Sequence, residues 1–120
     1  NSSPLYVQDK RILLTFDTAN RKTGAWRFNG PVGFEKLWVH DIGNSSQVLY
    51  YPDTGEVVVD DVLEDKNVDA VVLDIETGLE KGRVATGGRF EAAMAFYPGL
   101  NRDVYSTSGA HGLLYRIYIA

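Results

Sequence analysis

Apolar positions along this chain come in short runs and never form the i, i+3, i+4 stripe of an amphipathic helix. The runs are rich in branched and aromatic residues and are bounded by Gly, Pro, Asn and Asp, the composition that fits a pleated strand. The pattern predicts strands at Leu5–Val7, Arg11–Asp17, Ala25–Phe28, Phe34–His40, Gln47–Tyr51 and Glu56–Asp60. It continues with Ala70–Ile75, Arg83–Thr86, Ala92–Tyr97, Asp103–Ser106 and Leu113–Ile119. Asp53-Thr54-Gly55 and Glu76-Thr77-Gly78 each supply a glycine where a tight hairpin needs positive φ. Pro98-Gly99-Leu100-Asn101 is a further turn cluster. Asp60–Asp65, with four acids among six residues, reads as a solvated loop and lacks the D-x-D-x-D-G spacing of a calcium loop.

Parts of the chain resemble one another. Leu14-Thr15-Phe16-Asp17, followed by Thr23-Gly24 and Gly30, parallels Val72-Leu73-Asp74, followed by Thr77-Gly78 and Gly87. Gly33-Phe34-Glu35 parallels Arg89-Phe90-Glu91, and Val48-Leu49-Tyr50 parallels Asp103-Val104-Tyr105. These offsets cluster near 56 residues. A four-stranded unit repeating at that spacing marks the blades of a β-propeller. The expected fold is therefore all-β, a partial propeller of about two and a half four-stranded antiparallel blades. Strands two to four of one blade occupy residues 1–30, a full blade 31–87, and strands one to three of the next 88–120. A closed propeller takes at least about four blades. The expected partners are thus the remaining blades, from the same parent chain, a companion chain or copies of this chain. A small up-and-down barrel is the rival fold, and Gly24-Ala25-Trp26 would suit it.

Two stretches carry a family resemblance. Ala70-Val71-Val72-Leu73-Asp74-Ile75-Glu76-Thr77-Gly78 resembles the hairpin of the quinoprotein-like and YVTN propeller groups. Gly33-Phe34-Glu35 with Trp38, followed by Gln47–Tyr51, resembles a blade of the SMP-30/gluconolactonase type. No catalytic string specific to a family accompanies them, and a shared fold does not by itself assign an activity.

Composition narrows the classes. A net charge of −4 argues against nucleic acid and against an anionic membrane surface as partners. The absence of cysteine removes disulfide, thiolate and cysteine–metal chemistry. No apolar run approaches the roughly 20 residues that span a bilayer. N-x-S sequons at Asn1 and Asn44 are the one hint of a secreted or periplasmic location, and such short motifs also arise by chance.

The candidate chemistry centres on Glu35 and Glu91, which the repeat places alike at the start of an innermost strand, facing a channel mouth. Clustered carboxylates suit calcium or another divalent metal. The gluconolactonase resemblance implies that the matching glutamate ligates calcium and that the whole ring hydrolyses a lactone or ester. His40 is a third channel-mouth candidate; His111 falls in a loop. Tyr6, Tyr50 and Tyr105, with Trp26 and Trp38, read as packing between blades. The expected function is a structural and ligand- or partner-binding portion of a propeller. The alternatives are part of a metal-dependent hydrolase of the lactonase type or of a quinoprotein-like oxidoreductase.

Overall fold

A computed structural model describes residues 4–17, 19–44, 48–89, 95–99, 103–108 and 113–119. Among these residues the structure is all-β, and its one helical turn is the 3-10 segment Gly30–Val32. Strands β1 (Leu5–Val7), β2 (Ile12–Asp17), β3 (Lys22–Phe28) and β4 (Phe34–His40) form a first antiparallel sheet in chain order. A second sheet repeats the arrangement with β5 (Val48–Tyr51), β6 (Glu56–Val62), β7 (Asn67–Asp74) and β8 (Glu80–Arg89). A third contains β9 (Ala95–Pro98), β10 (Asp103–Ser108) and β11 (Leu113–Tyr118). None of the sheets closes on itself.

Each strand expected from the sequence overlaps an observed one, with residues 47 and 92–94 of two of them outside the described residues, but the phase of the repeat differs. Phe34–His40 pairs with β3 and completes the first sheet instead of opening the second. The divisions therefore fall between 40 and 48 and between 89 and 95, not at 30 and 87. Leu5 to Val48 is 43 residues and Val48 to Ala95 is 47, so the structural period is shorter than 56. The reason is chemical. Leu14–Asp17 and Val72–Asp74 look alike because each ends at an Asp entering a turn, yet they lie in second and third strands respectively. Likewise Tyr6 and Tyr50 share a first-strand position, whereas Tyr105 lies in a second strand.

The shorter period is visible in the backbone. Arg11 (φ 55°) and Gly55 (φ 67°) end the first hairpin turns of their sheets, while Arg21 (φ 53°) and Lys66 (φ 71°) end the second. Non-glycine residues seldom adopt this left-handed conformation. The ladder between third and fourth strands shifts register at matching places, Ala25/Trp26 and Val72/Leu73.

The sheets stack face to face. Val57, Val59, Val71 and Leu73 of the second sheet pack on Ile12, Leu14, Ala25 and Trp38 of the first. From its other face, Val58, Ala70 and Val72 pack on Phe96, Val104, Ile117 and Ile119 of the third region. All seven residues of β6 are buried. A strand covered on both faces loses the usual alternation, which is why Val57-Val58-Val59 and Ala70-Val71-Val72-Leu73 run apolar without a break. Each such valine or leucine contributes about 1.5–3 kcal/mol when fully buried.

Burial also changes the reading of the acidic run. Asp60 and Asp61 belong to β6, not to a solvated loop, and Asp61 is 1% exposed. Its carboxylate accepts from the Gly43 backbone N–H at 2.8 Å and lies 3.1 Å from Arg21, both from the first sheet and its exit. Its other oxygen accepts from Arg83 of β8 at 2.8 Å. Arg21 also donates to the Val62 carbonyl, and Val62 N–H donates to the Gly43 carbonyl at 2.9 Å. One buried anion thus joins two sheets by two cations and an amide. Substituting Asp61→Ala leaves those donors facing a cavity, and loss of one partner from a buried pair is costly. The expected destabilisation is about 3 kcal/mol, read as a lowered urea midpoint with unchanged slope.

Candidate functional site

The residues singled out by sequence are not gathered in one place. Glu35 is the second residue of β4, an edge strand, and lies exposed with its carboxylate accepting from the Asn29 side-chain amide. It therefore does not open an innermost first strand. His40 ends the same strand, about 17 Å from Glu35 at the rise of extended chain. Glu91 and His111 lie outside the described residues. Among the described residues no three His, Asp or Glu side chains group as a metal site would require.

His40 has a definite environment. Its ring stacks on Trp38 with centroids 5.0 Å apart, and Nε2 lies 2.8 Å from the Gly78 carbonyl. A carbonyl only accepts, so Nε2 carries the proton in this bond. Trp38 Nε1 donates to the Ile75 carbonyl at 2.9 Å. Two ring donors from β4 therefore hold the turn between β7 and β8. Beside them opens a cleft of about 730 Å³ lined by His40, Asp41, Thr77, Leu79, Glu80 and Arg83 among others. Its charges are already engaged. Arg83 donates to Asp61, Asp69 and Glu80, and Asp41 pairs with Lys22. Burial works against the Arg83 charge, but its bonds to Glu80, Asp61 and Asp69 outweigh this and raise the guanidinium above its ordinary value. The cleft is an open recess along the seam between the first two sheets, with its charged groups paired within the chain.

Asp74 shapes the same turn. Its Oδ1 accepts from the Glu76 and Thr77 backbone N–H groups at 2.9 and 3.1 Å. Partial burial pushes its pKa up, but the Thr77 and Glu76 bonds prevail and hold it below the usual carboxylate value. Tyr50 donates to Asp9 at 2.9 Å, and burial, then this bond, pushes the phenol up to about 12. Asn44 of the second sequon is fully buried and donates to the Asp60 carbonyl, the position of a structural side chain.

The more informative surfaces are the two outer sheet faces. On the first sheet, the face turned away from the second carries Tyr6, Leu13 and Trp26 in one register row across three strands. Phe28 and Phe34 pair beside them with ring centroids 5.4 Å apart. Phe34 remains 46% exposed and Val39 41%. Trp26 Nε1 donates to Thr15 Oγ1 at 3.0 Å, holding the indole beside Gly24. Gly24, Thr15, Val39 and the indole line a shallow recess of about 170 Å³ with Asp17 and Lys22 on its rim. The outer face of the third sheet carries Tyr97 across from Tyr105, with Leu114 and Tyr118 more than half exposed. Its charged pair, Arg116 and Asp103, is internally neutral.

Sequence reasoning treated Trp26 and Trp38 alike, yet Trp38 is inside and Trp26 is on the open face. The signal that separates them is strand parity. On β2, Leu13, Thr15 and Asp17 alternate with Ile12, Leu14 and Phe16, and the side of Ile12, Leu14 and Phe16 is the one that the second sheet covers. Comparison with protein-family models, curated proteins and solved structures finds no match to this chain.

Two outcomes follow from the β7–β8 turn. A Cβ on Gly78, at φ +73°, would lie 2.5 Å from His40 Nε2 and 2.7 Å from the Trp38 ring. Gly78→Ala should therefore cost about 2 kcal/mol or more, measured by equilibrium unfolding. Because the folded-state pKa of Asp74 is lowered, its stabilising contribution is present above the unfolded value and lost as pH falls through the folded one. Wild type should lose urea resistance below about pH 4, and Asp74→Asn should show less of that loss.

Proposed function

We propose that this chain is a structural and partner-binding segment of a β-propeller, in which the three sheets are successive blades and further blades cover the two open faces. The observation that carries this reading is the contrast between sheets. The second is buried on both faces, while the first and third each present aromatic residues on a face that nothing covers among the described residues. Meandering sheets, two of four strands and one of three among the described residues, stack face to face at a spacing of 43 to 47 residues, which supports the blade reading. A ring of such sheets protects every blade face, which an open stack of three cannot do.

The binding role lies on the same surfaces. Tyr and Trp are favoured where an apolar body meets a partner and a polar tip meets water. Trp26, pinned over Gly24 by Thr15, is a rigid element of this kind. The isolated chain is expected either to bind the dye 1-anilinonaphthalene-8-sulfonate or to self-associate. The triple variant Trp26→Ser, Phe28→Ser, Phe34→Ser should lose most of that behaviour with its strand signal in circular dichroism intact. A wild-type chain that stays monomeric and binds no dye would contradict the proposal.

A further inference from the structure

The two internal interfaces share a polarity. Each sheet has a forward face, turned toward the next sheet in the chain, and a rear face turned toward the previous one. The forward face of the first sheet (Ile12, Leu14, Ala25, Trp38) meets the rear face of the second (Val57, Val59, Val71, Leu73). The forward face of the second (Val58, Ala70, Val72) meets the rear face of the third (Phe96, Val104, Ile117). Both junctions are thus forward to rear. The open faces are one of each kind, rear on the first sheet and forward on the third.

Register makes the equivalence specific. Leu13 pairs with both Tyr6 and Trp26 on the open rear face; Val57 pairs with both Tyr50 and Leu73 on the covered one. Thr15 and Asp17 follow Leu13 on that face as Val59 and Asp61 follow Val57. Asp17 therefore stands on the open face where Asp61 stands on the covered one. Asp61 is the carboxylate that takes the Gly43 amide and Arg21 of the preceding sheet. The recess between Trp26 and Val39 adjoins Asp17. It occupies the part of the rear face that, on the second sheet, receives its neighbour.

We infer that a second copy of this chain docks head to tail, the forward face of its third sheet (Tyr97, Leu114, Tyr118) covering the rear face of the first sheet around Trp26. This rests on the stacked-blade reading and goes further by naming the occupant. The contact continues an interface already made twice within the chain. It joins two aromatic surfaces; the Arg116–Asp103 pair enters it neutralised, and the rear face brings one charge of each sign, Asp17 and Lys36. Such a contact is heterologous: both partners keep one face free, and copies add until a ring closes.

The test uses two single variants, each blocking one face. Trp26→Glu disables the rear face and Tyr118→Glu the forward face, with Phe34→Glu and Leu114→Glu as replacements should either first choice fail to fold by circular dichroism. Sedimentation across a concentration series should show association of the wild-type chain. Each variant alone should associate at least about tenfold more weakly, as expected for loss of a central aromatic. Mixed in equal amounts, the two should form a complex of twice the 13.3 kDa chain mass and no larger, because one intact rear face meets one intact forward face. Wild-type protein that remains monomeric at every concentration overturns the inference, as does association unaffected by either variant or a mixture that fails to pair. Dye binding by a wholly monomeric wild type would leave the blade reading standing and reject only the second copy as its occupant.

Discussion

A sheet with two apolar faces has to be covered twice, and the second sheet sets this condition for the whole molecule. Val57, Val59, Val71 and Leu73 point one way; Val58, Ala70 and Val72 point the other. Neither set has a solvent-facing alternative, so the flanking sheets are obligatory neighbours. Apolar cover alone does not fix how two sheets lie on each other, because hydrophobic attraction has no direction. Asp61 supplies direction to the first of these junctions. Held between Arg21, Arg83 and the Gly43 amide, it specifies where the exit of β4 crosses β6. Glu76 fastens the same junction elsewhere, taking Lys10 and Arg27 from the first sheet.

Local chemistry proved enough to find the strands. Phe34–His40 was bounded correctly because Gly33 precedes it and Asp41 follows, and turn residues punctuate the remaining runs. Among the strands that outran expectation, β7 beginning at Asn67 and β8 reaching Arg89 are extended by pairing and not by propensity. Their outer residues include Asn67, Asp69, Lys81 and Gly82, which take strand geometry because the adjacent ladder is already in place. The phase of the repeat was less legible. Similar strings occur wherever a strand runs into an Asp-led turn, whereas the features that repeat in register are left-handed turn residues and a bulge. An arginine at Arg11 or Arg21 gives no sign in the sequence that it takes positive φ.

The candidate site was legible only in part. Glu35 and His40 could be picked out as chemistry-bearing residues on one strand, but the place of that strand at the edge of the first sheet depends on its pairing with β3. The acidic run misled because its burial depends on cations from distant parts of the chain. Arg21 is 40 positions from Asp61, and nothing near either residue announces the pair. The open faces were hidden for the opposite reason. Tyr6, Leu13 and Trp26 have the composition of a core, and only the arrangement of the sheets shows which core residues lack cover.

The placement of acids around β6 has a consequence before the fold exists. Val57-Val58-Val59 is the kind of segment that pairs with its own kind when chains are unfolded. Glu56 stands immediately before it and Asp60-Asp61 immediately after. In the unfolded chain these charges repel like segments and act as gatekeepers against cross-β stacking. In the folded chain Asp61 is withdrawn from water and neutralised by the two arginines. The same carboxylate therefore guards the valines while they are exposed and locks their cover once they are not.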